Sequence, residues 1–148
     1  MNREIKFRVW DKYKKQMYPI SSIDYDIFSQ EINIIAVGHK NGMCTSYNKN
    51  HNSEKCDITA LELMQYTGLD DKNGKEIYEG DTIKCKKHIG GNFVDCCMEN
   101  GFVEFKDGEF GLHRKQGYYQ SLKKFLEYDY ELEVTGNIYD NPELLGGE

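Results

Sequence analysis

Several groups of residues have types and spacing that could do chemistry. His39, Cys44, His51 and Cys56 run as His-x4-Cys-x6-His-x4-Cys. Imidazole nitrogen and thiolate sulfur are the donors a tetrahedral zinc ion takes, and a metal would organise this polar stretch. Close ligand pairs of the usual kind are missing, so no metal and no other cofactor is expected. Cys96 and Cys97 are adjacent and would point to opposite faces of a strand. With Cys44, Cys56 and Cys85 they make five cysteines, an odd number that favours free thiols acting as small buried hydrophobes. Glu76, Glu79 and Asp81 could form an acid/base pair or a metal site. The simpler reading is a bend in which Asp81 accepts backbone N–H groups, and it is favoured.

Arg8, Trp10, Lys12, Lys14 and Lys15 form a basic and aromatic concentration able to stack a base and pair with phosphate. The competing reading is a strand whose Trp10 packs under a second lobe while the lysines solvate a turn. It is favoured because the chain is acidic, with 25 Asp and Glu against 19 Lys and Arg. Tyrosines are abundant, 11 in all. Tyr66, Tyr78 and Tyr139, with Tyr118, Tyr119, Tyr128 and Tyr130, suit an interface in which the ring anchors and the hydroxyl bonds. There is no Gly-x-Ser-x-Gly elbow, no His-Glu-x-x-His and no phosphate-cradling lysine loop, and Gly90-Gly91 precedes no helix. No catalytic residue is assigned, and the chain is not expected to be an enzyme.

The elements that must position these residues read as short strands. Residues 3–10 alternate Ile5, Phe7 and Val9 with Lys6, Arg8 and Trp10, the period of a half-buried strand. Asp11 to Lys15 is a turn, and Gln16 to Tyr18 completes a hairpin. Glu31 to Val37 is rich in β-branched residues. Residues 38–57 read as a long polar loop, with a boundary near residue 58. Charge changes there as well: residues 1–60 hold 9 basic and 7 acidic groups, and residues 61–148 hold 10 and 18. Further strands are expected at 61–67, 76–85, 93–98, 101–105, 110–113 and 130–138. Asn73-Gly74, Asn100-Gly101 and Asp107-Gly108 are hairpin signals between them. Ser121 to Tyr128 is the one helix, capped by Ser121, with Leu122, Phe125 and Leu126 on its inner face.

At 148 residues, 39% hydrophobic and 13% aromatic, the chain can fold without staples. Its longest aliphatic run, Ile34 to Val37, is far too short to span a membrane, and the first residues carry no apolar signal core. A cytoplasmic location and no membrane partner are therefore expected. The pattern describes a mainly β fold: a β-rich N-terminal lobe over 1–58, opening with a hairpin, and an SH3-like small barrel over 59–148.

Three segments resemble the YopX family of phage and prophage proteins. The first is Arg3-Glu-Ile-Lys-Phe-Arg-Val-Trp-Asp11. The second runs from Leu63-Met-Gln-Tyr-Thr-Gly-Leu69 through Asp71-Lys-Asn-Gly-Lys-Glu-Ile-Tyr-Glu-Gly-Asp81. The third is Val134-Thr-Gly-Asn-Ile-Tyr-Asp-Asn-Pro-Glu-Leu-Leu145. The resemblance implies a mainly β protein, a Gram-positive host or its phage, and self-association. It implies no activity and no catalytic residue. The expectation is a phage or prophage accessory protein that forms a homo-oligomer and binds a host or phage protein. The alternative is a nucleic-acid-binding regulatory protein.

Overall fold

The computed structural model describes residues 3–96, 100–114, 117 and 119–145. Cys97 and Tyr118 lie outside the described residues. The fold is mainly β with one short helix, as expected. Its chain divides into two compact units, Lys6–Gln65 and Tyr66–Glu148, the latter joined by Met1–Ile5. The unit Lys6–Gln65 takes in Leu61–Gln65, which pair with the first strand.

In the unit Lys6–Gln65, β1 (Phe7–Asp11) lies between β2 (Gln16–Asp26) and the start of β5 (Leu61–Asp70). A meander continues outward through β3 (Glu31–Gly38) to β4 (Cys44–Asn48). The end of β1 is not half-buried: Val9, Trp10 and Asp11 are consecutively buried. The polar stretch 38–57 is not one loop. It contains β4 and a 3-10 turn at Glu54–Cys56. The strand forms because Thr45 to Asn48 pair with Ile34 to Val37, and Tyr47 enters the core with Val9, Tyr18, Ile35, Val37 and Leu61. One buried aromatic thus holds a segment whose composition reads as loop.

The unit Tyr66–Glu148 has the remainder of β5, then β6 (Glu76–Tyr78), β7 (Asp81–Ile89) and β8 (Asn92–Asp95). It continues with β9 (Gly101–Lys106), β10 (Glu109–Arg114), β11 (Tyr119–Ser121), α1 (Leu122–Glu127) and β12 (Tyr130–Asn137). The sheet order is β11-β10-β9-β7-β12, with β8 also on β7. Among the described residues no pairing joins β11 to β12, so hydrogen bonds do not close the expected SH3-like barrel. Ile83, Cys85, Val103, Leu112, Leu122, Phe125 and Leu132 form the core, and Ile77 joins them. Leu122 and Phe125 are the inner face of α1. Leu126 is 47% exposed, and Ser121 makes no side-chain capping bond.

Two hairpin signals that look alike in sequence separate here. Asp107 and Gly108 both have positive φ, 53° and 85°, and close β9 on β10 as a two-residue turn. Asn100-Gly101 is no turn. Asn100 Oδ1 accepts the Cys85 N–H at 2.8 Å, and Gly101 is paired in β9. A Cβ on Gly101 would sit 2.3 Å from the His113 carbonyl oxygen, which is backbone and cannot move aside. Gly101→Ala should therefore destabilise this unit by about 2 kcal/mol or more, read as a lowered urea midpoint. An unchanged midpoint would show that β9 and β10 separate more easily than their register indicates.

Candidate functional site

The basic turn is built around a buried carboxylate. Asp11 ends β1, and its side chain is fully buried. Its Oδ1 accepts the backbone N–H groups of Tyr13 (2.8 Å) and Lys14 (2.9 Å), and its Oδ2 accepts the Tyr47 hydroxyl at 2.5 Å. Lys14 Nζ donates to the Tyr47 oxygen at 2.9 Å and stands 3.8 Å from Asp11 Oδ2. Burial pushes the Asp11 carboxyl upward, but the Tyr47 hydrogen bond, the two backbone N–H groups and Lys14 together hold it below the usual carboxylate range. The bond to Tyr47 raises Lys14 above the ordinary lysine value. Burial, followed by the Asp11 carboxylate, raises the Tyr47 phenol.

Of the basic and aromatic residues read from the sequence, the structure buries Trp10 and leaves the three lysines accessible. Trp10 is 3% exposed and presents no ring for stacking. Arg8 is half-buried. Lys12 pairs with Glu62 at 3.2 Å, and Lys14 is drawn into the Asp11–Tyr47 group. Lys15 is exposed at φ 53°, as the turn requires.

The tyrosines chosen as interface residues are also mostly internal. Tyr66 and Tyr78 are 7% and 9% exposed, with ring centroids 5.5 Å apart. Their hydroxyls donate to Asp70 and Glu76 at 2.9 and 2.8 Å. Tyr139 is half-buried. They sit inside because β5 and β6 place Tyr66 opposite Tyr78. Asp81 accepts the Tyr78 N–H at 2.8 Å, the turn role expected of it.

His39, Cys44, His51 and Cys56 are not gathered, and no group of three metal-ligating side chains occurs among the described residues. The His39 ring bonds Thr45 Oγ1 at 2.7 Å, and His51 Nδ1 accepts the Ser53 N–H at 3.1 Å. Cys85 is the buried hydrophobe expected of these thiols, but Cys44 is exposed on the outer strand of its meander.

Two features were not legible as sites. The first is the end of the β2–β3 hairpin. Pairing of β1 with β2 stops at Pro19, and pairing of β4 with β3 begins at Ile34, so Tyr25, Asp26, Glu31 and Ile32 pair only across the hairpin. Asp26 Oδ1 accepts the Phe28 N–H at 2.8 Å and fixes the turn, a bond that holds its carboxyl below the ordinary value. Ile27 and Phe28 are left 73% and 92% exposed, with Tyr25 at 54% beside them. The second is an open cleft of about 560 Å³ in the unit Tyr66–Glu148. Phe93, Leu126 and Tyr130 give it apolar surface, and Asp129 and Glu131 give it acid. One edge is the Asp71 turn. Asp71 is 7% exposed and accepts the N–H groups of Asn73, Lys75 and Val134 at 2.8, 2.9 and 3.0 Å. Burial works against that carboxylate, but the Val134, Lys75 and Asn73 bonds hold it below the usual range. Sequence reasoning missed the cleft because its residues come from four separate segments.

Comparison with known proteins places the chain in a class. A family model described as YopX protein matches residues 6–146, and the chain belongs to the YopX family. Protein EF1440 from Enterococcus faecalis is similar in structure, with 27% identity over 97% of this chain and 99% of that one, and a TM-score of 0.60. Protein yopX from Bacillus subtilis shares the fold at 23% identity, over 95% of this chain and 97% of that one, with a TM-score of 0.57. No curated protein matches the chain. No helix among the described residues is long and apolar enough to cross a membrane.

The Asp11 group makes stability depend on pH in a definite direction. A carboxyl held below its unfolded value of 3.8 stabilises fully above that value, and the contribution is lost as pH falls through the lower folded value. Tyr47 and Lys14, both raised, contribute below their ordinary values of 10.0 and 10.5 and lose this as pH rises through their folded ones. Urea unfolding followed by the single Trp10 should give a plateau near neutrality and an acid limb below about pH 4. Asp11→Ala should cost about 3 kcal/mol at pH 7 and flatten that limb. An acid limb unchanged in the variant would assign it to other carboxylates.

Proposed function

We propose that this is a phage or prophage accessory protein that works by associating with copies of itself and with a second protein, without catalysis. The apolar end of the β2–β3 hairpin carries this reading. A side chain as large as Phe28, 92% exposed on a backbone held by the Asp26 turn, suits a partner rather than the chain's own core. Ile27 and Tyr25 extend the apolar surface around it. The family resemblance supports a phage or prophage origin and the bacterial cytoplasm as its setting. The nucleic-acid reading has less behind it, since Trp10 is buried and Lys12 and Lys14 face carboxylates.

Size-exclusion chromatography with light scattering, in reductant and recorded at 260 and 280 nm, tests this. The wild-type chain should elute as a closed oligomer well above 17.3 kDa, free of excess 260 nm absorbance. Phe28→Asp should lower the mass toward one chain and leave the far-ultraviolet dichroism unchanged, because the side chain packs against little of its own fold. A wild-type monomer would contradict the proposal. A peak carrying nucleic acid would favour the alternative regulator instead.

A further inference from the structure

We infer that the cleft of the unit Tyr66–Glu148 is a binding site for an organic cation, an ammonium or guanidinium group on an apolar body. Its volume, about 560 Å³, suits a small ligand or a single long side chain. The walls supply the apolar part. Phe93 and Leu126 are 53% and 47% exposed there, and Leu132, 4% exposed, lies beneath. Phe93 is braced by the His88 ring at 5.2 Å, and Tyr130 by Phe125 at 5.2 Å, edge to face. Lys87 Nζ already lies 5.5 Å from the Tyr130 ring centroid, so the Phe93 ring is the aromatic face left for a further cation or apolar group.

The charge around the cleft selects the sign of the ligand. Asp70, Asp71, Asp129 and Glu131 line it, against Lys72 and His88. The lysine is already matched, since Lys72 Nζ lies 3.2 Å from Glu131 and 3.0 Å from Glu133. Asp71 is committed to backbone N–H groups and Asp70 to the Tyr66 hydroxyl. Asp129 differs. It is exposed, and it follows α1 with φ 57°, a conformation in which its carbonyl accepts the His88 N–H at 3.3 Å. The carboxylate is thereby set at the rim of an aromatic-walled cleft with no need to hold the fold together. An anion would meet repulsion there, and a neutral apolar molecule would leave the carboxylate unused.

Titration of the isotope-labelled full chain by heteronuclear NMR tests the inference. Phenethylamine should give saturable shifts at the amides of Lys72, His88, Asp129 and Tyr130, weakening with added salt. Asp129→Asn should weaken binding by roughly two- to fivefold, as expected for one solvent-exposed ion pair. Asn adopts positive φ readily, so this variant keeps the backbone intact. The capped dipeptide N-acetyl-Phe-Arg-amide separates the sources of the cation. Tighter binding than phenethylamine assigns the site to a side chain of a protein segment, and weaker binding assigns it to a free amine. Equal shifts from the uncharged isostere 2-phenylethanol, or no saturation up to about 10 mM of either cation, would overturn the assignment.

Discussion

Buried carboxylates that take over the work of missing strand partners are the constraint on which this structure rests. Small β units have many strand ends, and each end leaves backbone N–H groups that must be satisfied. Asp11, Asp71 and Asp81 are 0%, 7% and 1% exposed, and each accepts backbone N–H groups at a turn. A buried charge is tolerated when hydrogen bonds surround it, and these bonds do so. Asp71 also reaches the Val134 N–H, so one side chain ties the β5–β6 turn to β12. Asn137 does the neutral equivalent after β12, where its Oδ1 accepts from Tyr139 and Asp140.

The same residues explain what the family resemblance carries. Asp11, Asp71, Asp81 and Asn137 all fall inside the three segments on which the resemblance rests. Their work is to satisfy turns. The family match over 6–146 covers all four of them.

Strands and tight turns were legible where local chemistry decides them. Asp107-Gly108 needs two positive φ angles, and the sequence says so. Asn100-Gly101 has the same appearance, but its Asn is claimed by Cys85, fifteen residues away in the chain. Tertiary packing also decided the fate of β4, which depends on Tyr47 reaching the core, and of Trp10, which is only 3% exposed. Tyr66 and Tyr78 look like interface residues by type, yet register sets them against each other. The exposed sites were hidden for the converse reason. Phe28 is exposed because neither β1 nor β4 extends along the hairpin to its turn, and no local pattern reports the length of a neighbouring strand.

The account gives function to the surface that the buried aspartates leave free, above all the turn held by Asp26. Amide hydrogen exchange by mass spectrometry, on the wild-type chain at low and high concentration, tests that claim most directly. Peptides covering residues 21–33 should exchange fast when dilute and gain protection on association. Those containing Val9, Ile35 and Leu112 should be protected throughout, as core strands are. Association that protects other segments and leaves 21–33 unchanged would contradict the account.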